Sequence, residues 1–424
     1  MRPPRSVRAQ SQGLKALRSL NFFMADMQAG VGPFLGIFLL AHGWKSGLIG
    51  TVMTFGGVAG VLMSAPAGAW VDASGRKRAL VAVTGLCTMF ASAMVLLSQS
   101  FWVVALSQVA TAIASAAIGP AVTGITLGMV GQTLFNRQNG INQAYNHAGN
   151  AAGAILSGFL GWKFGIPAVF WLAVAFAVAA IASITLIPKD AIDDRKARGL
   201  KAKQGAEDHA SGYSVLYNCK PLLALAGALA LFHLGNGAML PLYGLAVVDA
   251  KEGDPSTLVA ATVVVAQVTM VLASIVAMRA ADSRSLWMLM LISFIALPVR
   301  GLIAAYLIKA WGVFPVQILD GIGAGLQSVA VPSLVARILN GTGRINVGQG
   351  SVLTAQGIGA SLSPMIGGWF AQWFGYRPAF LILGSFAIGS VLLWTTSAHL
   401  FANLGKHHGL ALGARRARMR AARA

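Results

Sequence analysis

The chain reads as long apolar runs separated by short polar breaks. Twelve windows of mostly apolar residues can be marked, at roughly 17–40, 46–70, 79–99, 101–130, 141–162, 166–188, 221–246, 257–279, 286–309, 312–336, 350–372 and 377–400. A helix needs about 20 apolar residues to cross a hydrocarbon core, and each window reaches that length. The strict apolar–polar alternation of a membrane β-strand is missing. Backbone groups in hydrocarbon must bond within their own segment, so the windows predict helices and the expected fold class is an all-α membrane protein.

Composition agrees. Hydrophobic residues make up 56% of the 424 and charged residues 10%, against about 25% charged in a soluble chain. Such a chain cannot clothe a water-facing surface, so its solvent is the lipid bilayer. The 50 glycines suit close helix packing. The net charge of +20 first suggests nucleic acid, but the cations lie between apolar runs, and no nucleic-acid partner is expected. With the N-terminus placed in the cytoplasm, 26 of the 32 Lys and Arg fall on the inner side. Five fall outside (Lys45, Lys163, Lys251, Lys309 and Arg377), and Arg300 lies within a window. That bias orients the chain with both termini cytoplasmic, as in a bacterial inner-membrane protein. The first window is longer than the 7–15 residues of a signal h-region, so no cleaved signal is expected. Cys87 and Cys219 have no metal-ligand company, and no catalytic cluster or phosphate-binding loop is legible. The expectation is a protein that is not an enzyme, holds no cofactor or metal, and acts as a monomer.

Residues 189–220 form the one long polar stretch between windows. The implied organisation is a tail at 1–16, six helices over 17–188, a linker at 189–220, six helices over 221–400 and a basic tail at 401–424. An internal repeat supports the division, at an offset of 210 residues. Gly140, Gly149, Gly158, Phe164, Gly165 and Phe170 map onto Gly350, Gly359, Gly368, Phe374, Gly375 and Phe380. Phe22 maps onto Phe232, Asp26 onto Asn236 and Asp72 onto Asp282. Parallel six-helix halves describe one transporter architecture, with the solute site near the midplane between them.

The segment Gly68-Ala-Trp-Val-Asp72-Ala-Ser-Gly75-Arg76-Lys77-Arg78, at the inner end of the second window, resembles the loop between helices two and three of the major facilitator superfamily. The resemblance extends over about residues 17–400. It implies twelve transmembrane helices in two pseudo-symmetric six-helix bundles, with helices 1, 4, 7 and 10 innermost, that rock about a central cavity. It also implies a conformational latch at Gly68, Asp72, Gly75, Arg76 and Lys77, with Asp282 as the counterpart in the second half. The physics is compatible. Gly68 permits a close helix contact, while Asp72 and the cations can meet the oppositely charged ends of neighbouring helices.

Two acidic residues are embedded, Asp26 in the first window and Asp320 in the tenth. An ionisable group at membrane depth costs about 2.5–3.5 kcal/mol or more and is a functional hypothesis by default. Arg300 and Asp320 each lie about ten residues from the turn near Ala310 and Trp311, so both sit roughly 15 Å deep and are expected to pair. The arrangement is similar to the Arg on helix nine facing titratable groups on helix ten in galactoside-type proton symporters. Asp26, Asp320 and Arg300 are therefore the candidates for proton coupling. A static pair, or a capping role for Asp26, is the alternative.

Polar side chains also recur on helix faces. Asn142, Asn146 and Asn150 share one face of the fifth window, with His147 one step round. His233 and Asn236 share a face in the seventh, and Gln317, Asp320 and Gln327 do so in the tenth. With Gln267 and Gln356 they form a candidate solute-binding ring, although each could instead bond across helices. Some features depart from the drug-exporting branch of the family. Gln108 stands where its helix four carries an Arg, and Gly149-Asn-Ala-Ala-Gly153 lacks the proline of its helix five. The expected function is secondary transport of a small organic solute by alternating access, coupled to protons, with symport ahead of antiporting efflux of drugs or metabolites. A non-transporting scaffold or receptor on the same fold is the rival from another class.

Overall fold

The computed structural model describes residues 5–29, 31–193, 218–279, 283–339 and 345–401. Among the described residues every regular element is helical. The first half carries α1 (Arg5–Ala29), α2 (Val31–Ala41), α3 (Ser46–Ala73), α4 (Lys77–Leu97), α5 (Phe101–Phe164) and α6 (Pro167–Thr185). The second carries α7 (Lys220–Asn236), α8 (Met239–Asp249), α9 (Pro255–Arg279) and α10 (Ser283–Tyr306). It continues with α11 (Val313–Ile338), α12 (Ile345–Phe374), α13 (Tyr376–Thr396) and the short α14 (Ala398–Phe401). Asp282, much of the linker and the tail beyond Phe401 lie outside the described residues, as do the side chains of Asp26 and Asp72.

Helix α5 is two passages in one, because Gly131 adopts φ +70°, a conformation that costs a residue with Cβ. Its limbs fold back on each other, and Asn142 Nδ2 donates to Thr126 Oγ1 across them at 3.0 Å. Conversely α1 with α2, and α7 with α8, each make one broken passage. Paired in this way, the described helices make twelve passages, six in each half. Among the described residues, nine stretches are long and apolar enough to cross a membrane on composition alone. The passages outside those nine are α1–α2, the second limb of α5 and α12, all diluted by polar residues or glycine. The last two are repeat mates, and a passage packed on protein can accept polarity that lipid cannot.

The repeat is visible in the packing. A Cβ on Gly149 would lie 2.0 Å from the Phe22 carbonyl, and one on Gly359 would lie 2.2 Å from the Ala230 carbonyl. The same glycine thus seats the fifth passage against the first and the eleventh against the seventh. Gly165 and Gly375 end their helices with φ of +85° and +88°.

The halves meet along two related seams. In one, α3 lies on α12: Ser46 Oγ donates to the Gly368 carbonyl at 3.0 Å, the Gly47 amide to Gln372 Oε1 at 3.2 Å and Trp369 Nε1 to Thr51 Oγ1 at 3.1 Å. In the other, α5 lies on α9, where Gly158 and Gly161 abut Ala260 and Ser256. Ser256 is the repeat mate of Ser46. These contacts cluster at the end of the bundle opposite the termini. There α2 also touches α8, with Gly36 against Leu245 and Gly244 against Ile37, so Phe34–Leu39 and Leu242–Val247 share one apolar core. At the termini-bearing end the first half keeps its own core around Leu17, Leu20, Val71, Leu80 and Ile125. The halves are therefore closed at the far end and splayed at the termini-bearing end.

Candidate functional site

The break between α7 and α8 positions the first cluster. It falls at Gly237 and Ala238, and the Ala238 amide freed by it is taken up by Ser363 Oγ of α12 at 2.8 Å. Asn236 is thereby held at the end of α7, deep in the fold. Arg300, two residues after Pro298 in α10, extends into this break. Its Nη1 donates to Asn236 Oδ1 at 2.6 Å and to Asp320 Oδ1 of α11 at 2.7 Å. The guanidinium is 1% exposed, whereas the Asp320 side chain is 17% exposed. The carboxylate, not the guanidinium, is the accessible member of the pair. Arg300 Nε and Nη2 have no protein partner. Nearby in sequence register, Gln317 lies one turn from Asp320 with both amide atoms buried and unpartnered, and His233 lies one turn from Asn236 with Nε2 likewise. Buried polar atoms without partners are costly and call for an explanation. Here they gather on the helices that hold the ion pair.

The structure does not place every polar residue on a cavity. Asn142 is 3% exposed and commits its amide to Thr126 and Gln138, so it ties together the limbs of α5. Gln327 is 6% exposed and donates to Ser293 Oγ, which bonds the Gly323 carbonyl, so it joins α10 to α11. For these two the expected solute contact is corrected: their hydrogen bonds are spent inside helix packing. Asn146 reaches the Asn21 carbonyl at 3.4 Å, and Asn150 reaches Asn146 at 3.5 Å. His147 Nδ1 meets Gln267 Oε1 at 3.1 Å, a bond across the α5–α9 seam at the limit of its closed part. Gln356 is half-buried on α12, next to Gly357, where a Cβ would touch Val61 of α3. Asp26 lies in α1 at the repeat position of Asn236, three residues before the helix ends.

The open space sequence reasoning missed lies along α3. A cavity of about 720 Å³ separates Gly57, Gly60, Val61 and Ser64 from Gly350, Leu353 and Thr354 of α12. A second, of about 470 Å³, lies between the same α3 face and Gln108, Thr111 and Ser115 of α5. They share Gly57, Gly60 and Ser64 and so flank one stretch of α3, and each has a size usual for small-molecule sites. Among the described residues, no charged one lines either part. The legible signal was the spacing of Gln108, Thr111 and Ser115, which puts an amide and two hydroxyls on one face of an otherwise apolar helix.

The latch segment forms the α3–α4 turn. Gly68 was expected at a close helix contact, but a Cβ there would meet no described atom within 4 Å. That expectation is corrected for this conformation: the termini-bearing ends are apart, and nothing presses on the glycine. Gly75 and Arg76 are exposed, while Lys77 is 2% exposed and donates Nζ to the Ser74 carbonyl at 2.9 Å.

Comparison with known proteins gives a consistent answer. The family model described as Major Facilitator Superfamily matches residues 18–345. Uncharacterised MFS-type transporters from two strains of Mycobacterium tuberculosis are 38% identical over 395 residues, covering 92% of this chain and 93% of theirs. Among solved structures, the nucleoside transporter NupG superposes with a TM-score of 0.71 at 15% identity, covering 93% of this chain and 99% of that one. A bacterial homologue of the human lysosomal transporter Spinster, inward-facing and unoccupied, superposes at 0.72 and 16% identity, covering 94% of this chain and 98% of its own.

Proposed function

The chain belongs to the major facilitator superfamily and is a membrane transporter, and on that premise we propose that it moves a small, neutral, polar organic solute in symport with protons. The observation that carries the coupling is the Asn236–Arg300–Asp320 arrangement. A buried ion pair holds only while both charges are present, and removing one partner costs about 3–5 kcal/mol. Protonation of Asp320, through its accessible edge, leaves a fully buried guanidinium with neutral acceptors only, the Asn236 oxygen and the carbonyl of the protonated carboxyl, and no counter-charge. α10 and α11 then gain by rearranging against α7, and a proton becomes a bias on the rocking of the halves. Asp26, at the matching place in the first half, is the second candidate carboxyl.

The solute class follows from the cleft, whose walls offer Gln108, Thr111, Ser115, Ser64 and Thr354. Hydroxyls and an amide suit a solute that hydrogen-bonds, and the lack of charge argues against a strongly ionic one. His147, Gln267, Asn146, Asn150 and Gln356 border the seams and complete the candidate set. The bias of Lys and Arg supports cytoplasmic termini, and with that orientation the splayed end faces inward. We assign the latch to Asp72, Gly75, Arg76 and Lys77, with Asp282, as contacts that form when that end closes.

Purified protein in liposomes with an imposed pH gradient tests this reading. Inward acid should fail to drive accumulation and outward acid should drive it; the reverse result makes the protein an antiporting exporter. Solute exchange that ignores the gradient in either direction overturns the coupling. A protein that binds but never moves solute is the scaffold or receptor reading.

A further inference from the structure

A separate cavity opens at the termini-bearing end, outside the seams. It measures about 460 Å³ and lies between the start of α4 and the end of α6. Its walls are Gly75–Ala79, Ala82, Ile184, Thr185, Lys189 and Ile192. Four of these residues are cationic and none is acidic. Arg78 bends across the cavity, donating Nη2 to the Thr185 carbonyl at 2.8 Å and Nε to the Ile184 carbonyl at 3.3 Å. It thus satisfies the last carbonyls of α6 while keeping its charge in the wall. Lys77 is almost fully buried beside it. The first turn of α4 forms another wall, with no acidic residue and no side-chain cap on its amides, which adds the positive end of a helix. Among the described residues, none of the four cations is in an ion pair.

Cations that serve only to orient a chain have no need to converge, because each lowers its own cost by turning into water. Here the chain bends three consecutive basic residues and Lys189 around one hollow, where among the described residues only backbone carbonyls, of Ser74, Ile184 and Thr185, answer their charge. An anion relieves the repulsion that is left. Ile184, Ala82 and Ile192 add an apolar flank, as a headgroup site at a membrane surface requires, and basic pockets between helices are where phosphate-bearing lipids are recognised. We propose that this cavity binds a phosphate-bearing anion, whose oxygens lie against Arg76 and Lys189 and the α4 amides. The phosphate can come from an acidic phospholipid or from a soluble phosphate; the cavity is distinct from the α3 cleft, although Gly75, Arg76 and Lys77 also belong to the proposed latch.

The test uses the full chain in nanodiscs of phosphatidylcholine alone or with added phosphatidylglycerol, at fixed salt, and reads thermal unfolding and the lipid retained in native mass spectrometry. Phosphatidylglycerol should raise the unfolding temperature of the natural protein. The double substitution Arg76→Gln/Lys189→Gln should abolish the rise and weaken retention about 25-fold, at about fivefold per cation. Lys45→Gln/Lys163→Gln removes the same charge at the far end and should change neither. A rise produced by inorganic phosphate in phosphatidylcholine discs, lost in the double variant, supports the site with a soluble anion as its source. If the double variant does not fold, Lys189→Gln alone carries the comparison. Equal responses from the pocket variant and the far-end variant, or no response to either phosphate source, overturn the proposal.

Discussion

Arg300 is costly in a membrane unless its charge is matched, and it is matched unevenly. Asp320 supplies a formal charge and a solvent-reachable edge; Asn236 supplies one neutral oxygen. Replacing Asp320 with Asn keeps an acceptor of similar shape but removes the titrating group. That variant should lose accumulation driven by a pH gradient while still exchanging solute down its own gradient, measured as counterflow in liposomes. Replacing Asn236 with Ala removes one charge-assisted hydrogen bond, worth about 1.5–3 kcal/mol, and should lower the unfolding temperature without abolishing coupling. The pairing of Arg300 with Asp320 was legible because both lie the same number of residues from one turn, and helix rise converts that count to depth. Asn236 was legible as polar and as the mate of Asp26, yet not as the third member. It sits on a helix that follows no short turn from α10, and only the packed bundle brings it there. Gln317 and Gln327 show the same limit. They share a helix face in sequence, but Gln327 spends its amide on Ser293 while Gln317 keeps both atoms unpartnered.

Helices meet here through glycine, and some of these contacts have a mate 210 residues away, as Gly149 with Gly359 and Gly158 with Gly368. A Cβ on Gly50 would come 2.0 Å from the Pro364 carbonyl, and one on Gly368 would come 2.4 Å from the Ser46 carbonyl. Both collisions are with backbone, so no side chain can yield, and the helices must part. Overpacking of this kind costs about 1–3 kcal/mol. Gly50→Val should therefore open the far end, raising the rate at which a membrane-impermeant thiol reagent modifies a cysteine placed at Ser46. Gly158→Val should do the same in the repeat-related seam at Ser256. Native Cys87 and Cys219 must first be replaced. The seams differ at their inner limits. One ends on Gly57 and Gly357, and the other on the His147–Gln267 bond, the sequence positions of which are repeat mates. His147→Leu removes one neutral hydrogen bond, about 1 kcal/mol, and should loosen only the α5–α9 seam by about fivefold. A double-mutant cycle with Gln267→Leu reads the pair directly. The offset made Gly158 and Gly368 legible as equivalent, but not Gly50, whose repeat position is Ala260. It did not say which face a helix neighbour within the half and which face the other half, because a glycine carries no side chain to betray its direction.

Twelve crossings in two sixes followed from hydropathy, because the cost of unpaired backbone in lipid leaves no other economical solution. Which end stands open did not, since the same sequence must fold into both arrangements and local pattern is common to them. The structure fixes one: three pairs of helices meet at the far end, and a cleft lies between α3, α5 and α12. If the halves move as rigid bodies about the seams, closing the cleft must lever the far end apart. Spin labels replacing Ser64 and Thr354 report the cleft mouth, and labels replacing Lys45 and Trp373 report the far end. In liposomes with solute and protons supplied, the first distance should shorten as the second lengthens, in the same fraction of molecules. Asp320→Asn should hold that fraction constant across pH while solute still shifts it. Two distances that change independently would mean local breathing of α3 and α12, because a lever between stiff, close-packed bundles cannot move one end alone.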